Sequence, residues 1–108
     1  MKSFEDGLLL DFYGNLLTDN VRLTLDMYLN DDLSLAEIAE EEGISRQGVH
    51  DKIKRGMSGL RSYEQKLGLV RRFLDQRQAV SQAIDLIDSK DYEGAREVLN
   101  RLSEEIEE

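Results

Sequence analysis

The sequence predicts an all-α fold: a helix-turn-helix followed by a C-terminal helical hairpin. Three observations carry that expectation. The 108 residues contain no proline, and Leu, Glu, Arg, Ala, Gln and Lys dominate while β-branched residues are scattered, which favours helix throughout. Apolar residues recur at steps of three and four along most of the chain. Hydroxyl or carboxylate caps stand just before several of those periodic runs.

The first helix opens at Ser3, with Asp6 three residues on as a capping box, and ends near Leu17. Phe4, Leu8, Phe12 and Leu16 recur at every fourth position and form its expected inner stripe. Thr18 caps a second helix, in which Val21, Leu25, Tyr28 and Leu29 share a stripe that Leu23 and Met27 widen, so this helix is expected to be the most buried. Ser34 and Glu37 make another capping box, with Leu33 and Ile38 as a hydrophobic staple, and start a third helix at Leu35. Gly43 suits the positive φ of a helix C-terminus, and Ser45 caps a fourth helix with Ile44 and Val49 as its staple.

Spacing then identifies the motif within residues 34–58. Ile38, Ala39, Gly43, Ile44, Val49 and Ile53 fall where a helix-turn-helix needs a core contact, a small residue at the crossing, the turn glycine, the turn hydrophobe and two anchors. One departure is Glu42, where an apolar residue often stands, and Gly48 and Gly56 weaken the fourth helix by up to about 1 kcal/mol each relative to alanine. Met57, Leu60, Tyr63 and Leu67 prolong the inner stripe, so that helix runs on past Gly59.

The boundary is expected between a helical domain over 1–63 and a hairpin over 64–108. Val70, Leu74, Val80, Ile84 and Ile87 line one arm, "DSKDY" turns, and Tyr92, Ala95, Leu99, Leu102 and Ile106 line the other. Two helices bury little on their own, so the hairpin packs on the first part or serves as a dimerisation element, with Val80, Ile84, Leu99 and Leu102 in a homodimer interface. "DYEGAREVL" resembles half of a tetratricopeptide repeat, but no second copy stands at the repeat length.

Charge is distributed in three blocks behind a net value of −9. Residues 1–44 hold two cations against eleven carboxylates, residues 45–77 nine cations against three carboxylates, and residues 78–108 three cations against nine carboxylates. A basic band between acidic ends is the outline of a local nucleic-acid footprint, although the same cations also solvate a long helix. If the fourth helix enters a major groove, Val49 and Ile53 face inward and Ser45, Arg46, Gln47, His50, Lys54 and Arg55 are the DNA-binding candidates. Arg46 can fork onto guanine and Gln47 onto adenine, while Ser45, Lys54 and Arg55 hold phosphates; Asp51 hinders.

Other function classes find no support. His50 is the only histidine and cysteine is absent, so no metal cluster, cofactor or thiol nucleophile is expected, and the missing cysteines suit a reducing cytoplasm. The sequence contains neither a glycine-rich phosphate loop nor a nucleophile with a histidine at recognisable spacing, so no enzyme is expected. Glu5, Asp6 and Asp11 interrupt the N-terminal apolar run, and no segment reaches the roughly 18 apolar residues of a membrane span.

"LSLAEIAEEEGISRQGV" resembles the C-terminal promoter-reading domain of bacterial sigma factors, and "VRLTLDMYLNDDLSLAEIAEEEGISRQGVHDKIKR" is more similar still to the YlxM family of small helix-turn-helix proteins of Gram-positive bacteria. The resemblance implies an all-helical DNA-binding fold and double-stranded DNA as partner. It also implies a link to the signal recognition particle pathway, whose genes the family's commonly neighbour. A regulator on DNA, and a protein- or RNA-binding accessory of that particle with the motif as scaffold, are both left open.

Overall fold

A computed structural model describes residues 2–107, with side chains through Ile106. Among the described residues there are six α-helices and no strand: α1 (Phe4–Tyr13), α2 (Asp19–Leu29), α3 (Leu35–Glu42), α4 (Arg46–Leu67), α5 (Leu69–Asp88) and α6 (Tyr92–Glu107), with a 3-10 turn at Gly14–Leu16. They form two compact units, Met1–Val70 and Arg71–Glu108.

In the first unit every helix start follows from a local cap. Ser3 and Asp6 exchange side chain-to-backbone hydrogen bonds at 3.1 and 3.2 Å, and Ser34 and Glu37 do the same at 3.1 and 3.0 Å. Thr18 accepts from the Val21 N–H and Ser45 from the Gly48 N–H. These bonds satisfy amides that a helix start otherwise leaves without partners.

The buried face of α1 is not the expected one. Phe4 is 66% exposed, and Phe12 and Leu16 are also exposed, whereas Leu9, Leu10 and Tyr13 are buried. Apolar residues occupy nearly the whole circumference of this helix, so periodicity has no contrast to work with. The informative residue is the carboxylate of Asp6, on the inward side, which meets the Arg61 guanidinium at 3.8 Å. The helix also tightens to a 3-10 turn after Tyr13 before reaching Leu17.

The most buried helix is α4 rather than α2. It packs on α1, α2 and α3, and Val49, Ile53, Gly56, Met57 and Leu60 are all buried. Only Thr24 and Leu25 of α2 are, and Leu23 is exposed. Gly56 is the crossing point: a Cβ added there would lie 2.8 Å from Leu25 Cδ1 and 2.9 Å from Val21 Cγ1. The absent side chain lets α2 lie close on α4, which outweighs the glycine's cost in helix propensity.

Beyond α4, Gly68 takes φ +65°, and three polar contacts fix the chain as it enters α5. The buried Tyr13 hydroxyl donates to Glu64 Oε1 at 2.5 Å and accepts from the Leu69 N–H at 3.0 Å, while Glu64 Oε1 accepts from the Val70 N–H at 2.9 Å. Burial, and then the hydrogen bond to Glu64, raise the Tyr13 pKa above its ordinary value.

In the second unit α5 and α6 meet through Ala83, Ala95 and Val98, flanked by Ala79 and Leu86. The turn is where "DSKDY" placed it, with Lys90 at φ +66°. Of the expected stripes, Ala95 lies in this seam, but Val80, Ile84, Ile87, Tyr92, Leu99 and Ile106 are exposed. Small side chains let the two helices approach closely, and the larger aliphatic residues then fall on an outer flank. Two alanines and a valine bury little apolar area, a contribution of a few kcal/mol at about 25 cal/mol/Å².

Two glycine substitutions are expected to act in opposite directions in urea unfolding. Gly56→Ala should cost about 1–2 kcal/mol net, overpacking against Val21 and Leu25 exceeding the helix-propensity gain. Gly7→Ala, with nothing within 4 Å of the added Cβ, should gain about 0.5–1 kcal/mol.

Candidate nucleic-acid interface

The helix-turn-helix consists of α3, the turn at Gly43–Ser45 and the first turns of α4. Gly43 adopts φ +69° and its N–H bonds the Ala39 carbonyl, ending α3 in the left-handed conformation the turn needs. Ile38, Ala39, Val49 and Ile53 are buried as the motif requires. Ile44 is not: it stays exposed on the turn, with its side chain beside Gly48 rather than sealed against the core.

The departure at Glu42 has a structural cause. Its carboxylate accepts from Lys52 Nζ at 2.7 Å and from the Thr24 hydroxyl, and Lys52 also donates to Asn20 Oδ1. The two charged side chains are only 14% and 12% exposed, so one largely buried pair links both helices of the motif, and Thr24 and Asn20 tie it to α2. Burial alone would raise the Glu42 pKa; the hydrogen bonds from Lys52 and Thr24 and the Lys52 charge outweigh it, and the net shift is downward. An apolar residue at this position would pack the turn without fixing the angle between α3 and α4 through directional bonds.

On the frame so fixed, Ser45, Arg46, Gln47, His50, Lys54 and Arg55 are all exposed. They do not share one face. Helical geometry sets Gln47, Asp51, Lys54 and Arg55 along the side opposite Val49 and Ile53, with Arg46 and His50 displaced toward one flank. His50, Lys54 and Arg61 of α4 border a cleft of about 210 Å³ to which α1 contributes Asp6 and α2 contributes Tyr28. Asp51 occupies two of its neighbours: its Oδ1 accepts from Gln47 Nε2 at 3.0 Å and lies 3.5 Å from His50 Nδ1. Ser45 spends an acceptor position on its own cap at 2.9 Å. Arg46, Lys54 and Arg55 form no ion pair among the described residues.

The first turn of α4 contains no carboxylate, unlike those of α1, α2 and α3. Its amide dipoles therefore face solvent next to Arg46 without an acidic side chain to offset them. Thr24, Glu42 and Lys52, which position this helix, were not among the residues singled out from the sequence as functional. The signal available was a carboxylate in an apolar slot with a lysine ten residues ahead.

Residues 2–103 match the family described as "Putative helix-turn-helix protein, YlxM / p13 like", UPF0122. The chain belongs to that family. A UPF0122 protein of Acetivibrio thermocellus is 49% identical over 111 residues, covering 99% of this chain and 95% of the relative. One from Desulforamulus reducens is 41% identical over 102 residues, covering 94% and 87%, and one from Bacillus cereus is 41% identical over 106 residues, covering 98% and 94%. Membership of UPF0122 agrees with the all-α helix-turn-helix fold described above. Among the described residues no helix is long and apolar enough to cross a membrane.

Replacing Glu42 tests the pair that sets the motif. Glu42→Ala leaves Lys52 largely buried without its partner and should cost about 3 kcal/mol in urea unfolding. Because the folded pKa of Glu42 lies below its ordinary 4.5, its contribution is complete above 4.5 and is lost as pH falls through the folded value. The acid-side loss of stability should therefore be smaller in Glu42→Gln than in the wild type.

Proposed function

We propose that this UPF0122 protein is a non-enzymatic, cytoplasmic DNA-binding regulator that lays the first turns of α4 in the major groove of double-stranded DNA. The observation that carries the reading is the combination of a helix held in place by a buried ion pair with three exposed cations on it, Arg46, Lys54 and Arg55, that have no ion-pair partner among the described residues. Lys54, Arg55 and Ser45 hold phosphates and fix the register, and the positive end of α4 adds to them. Arg46 reads guanine. Gln47 reads adenine only after leaving Asp51, so base recognition by this residue involves an exchange of hydrogen bonds rather than the filling of an idle amide. His50 contributes from the flank.

The acidic blocks on either side of the band, net −9 over residues 1–44 and −6 over residues 78–108, keep binding weak and steeply dependent on salt. The same blocks favour a second reading, an accessory of the signal recognition particle pathway that uses the motif as a scaffold for a protein or RNA partner. A homodimer is compatible with both.

Titration of duplexes from the organism's own promoters at several salt concentrations separates the readings. Arg55→Ala should weaken all sequences alike and lower the slope of log affinity against log salt by about 1. Gln47→Ala should alter the ranking of sequences more than the overall affinity. Asp51→Asn should tighten binding to every duplex, because it removes a carboxylate facing the phosphates. No binding at low salt, together with partners from cell extract that survive nuclease, would establish the accessory instead.

A further inference from the structure

The hairpin in Arg71–Glu108 has an apolar face that its own seam leaves uncovered. Val80, Ile84 and Ile87 lie about a quarter turn round α5 from the seam residues Ala79, Ala83 and Leu86, and Tyr92, Leu99 and Ile106 follow in the same sense round α6. With only residues 89–91 between them, the two helices run antiparallel, so equal rotation turns both stripes to one side. Phe73 lies two turns before Val80 on the same side of α5, and with Val80 and Ile84 it lines an open groove of about 370 Å³.

We propose that this face is an interface with a second copy of the same chain, in which the two α5 helices run antiparallel about a two-fold axis. Charge order along α5 selects this occupant. Arg71, Arg72 and Arg77 stand in its first half and Asp85 and Asp88 at its end, with Asp75 the single exception. Arg77 and Asp88 are about three turns apart and so lie on the same flank of the stripe, and Val80 and Ile84 fall between them. A two-fold axis level with residues 82 and 83 therefore sets Val80 of one copy against Ile84 of the other and brings Arg77 beside Asp88 twice. A parallel pairing would instead oppose Arg77 to itself. The interface is isologous, as a closed dimer requires, and the four helices reproduce the antiparallel packing of a bundle. An anionic lipid surface is a poor occupant, because residues 78–108 hold nine carboxylates against three cations. The arrangement does not depend on α4 reading DNA.

Sedimentation equilibrium of the full chain without DNA provides the test. The wild type should associate to a dimer, and Ile84→Glu should weaken association at least about tenfold with helix content retained in circular dichroism. Arg77→Asp and Asp88→Arg should each weaken it about tenfold, and the two together should restore it, since the pair is then reformed with reversed sign. The charge pair decides even if Ile84→Glu unfolds, as both positions are exposed. A wild type that remains monomeric, or a double reversal as weak as the single ones, overturns the proposal.

Discussion

The contact between Glu42 and Lys52 is the constraint on which the geometry of the first unit depends. It joins the end of α3 to the second turn of α4, and Thr24 and Asn20 bring α2 into the same set of bonds. A buried ion pair adds little net stability compared with a well-packed apolar substitute, because desolvation offsets most of the attraction. It does add direction. Apolar packing tolerates small rotations of one helix on another, whereas a carboxylate that accepts from two donors on two different helices does not. The orientation of α4, and with it every exposed cation on the motif, follows from that set of bonds together with the glycine contact at Gly56, where α2 closes on α4 without a side chain between them.

The helix-turn-helix was legible because each of its determinants is local. Capping at Ser34 and Ser45, the left-handed turn at Gly43 and the buried positions of Ile38 and Val49 all follow from residues within a few places of one another. The inner face of α1 was not legible, because Leu8, Leu9, Leu10, Phe12 and Tyr13 offer burial in almost any direction. Only the long-range partners of Tyr13 and Asp6, namely Glu64 and Arg61, select the face that turns inward. In the hairpin, periodicity located the large aliphatic residues but could not tell whether they face the other arm. Alanines 79, 83 and 95 make the seam instead, and an alanine carries almost no weight in a hydrophobic stripe. Glu42 and Gly56 looked like defects for a related reason: each violates a local preference and is explained only by what another helix brings to it.

The uneven charge of the chain has a physical rationale in the same arrangement. Eleven carboxylates in residues 1–44 include those that close the caps of α1 and α3 and the one that holds Lys52. Part of the acidity that opposes a polyanion is thus structural and serves helix initiation or the α3–α4 contact. Asp51 differs, since it is exposed and meets Gln47 and His50, two of the candidate contact residues. A single side chain there moderates both the charge and the free amide presented by the helix.

The bonds from Tyr13 and Glu64 to the amides of Leu69 and Val70 give the chain a kinetic property. Amides at the start of a helix ordinarily exchange with solvent readily, since no earlier carbonyl protects them. Here both protons are held by side chains from α1 and α4, one of them 56 residues distant in sequence. Exchange at Leu69 requires the Tyr13 ring to leave its buried site, which opens the contact between α1 and α4. The Leu69 proton at the entrance to α5 therefore reports on the opening of the first unit rather than on fraying of the helix to which it belongs.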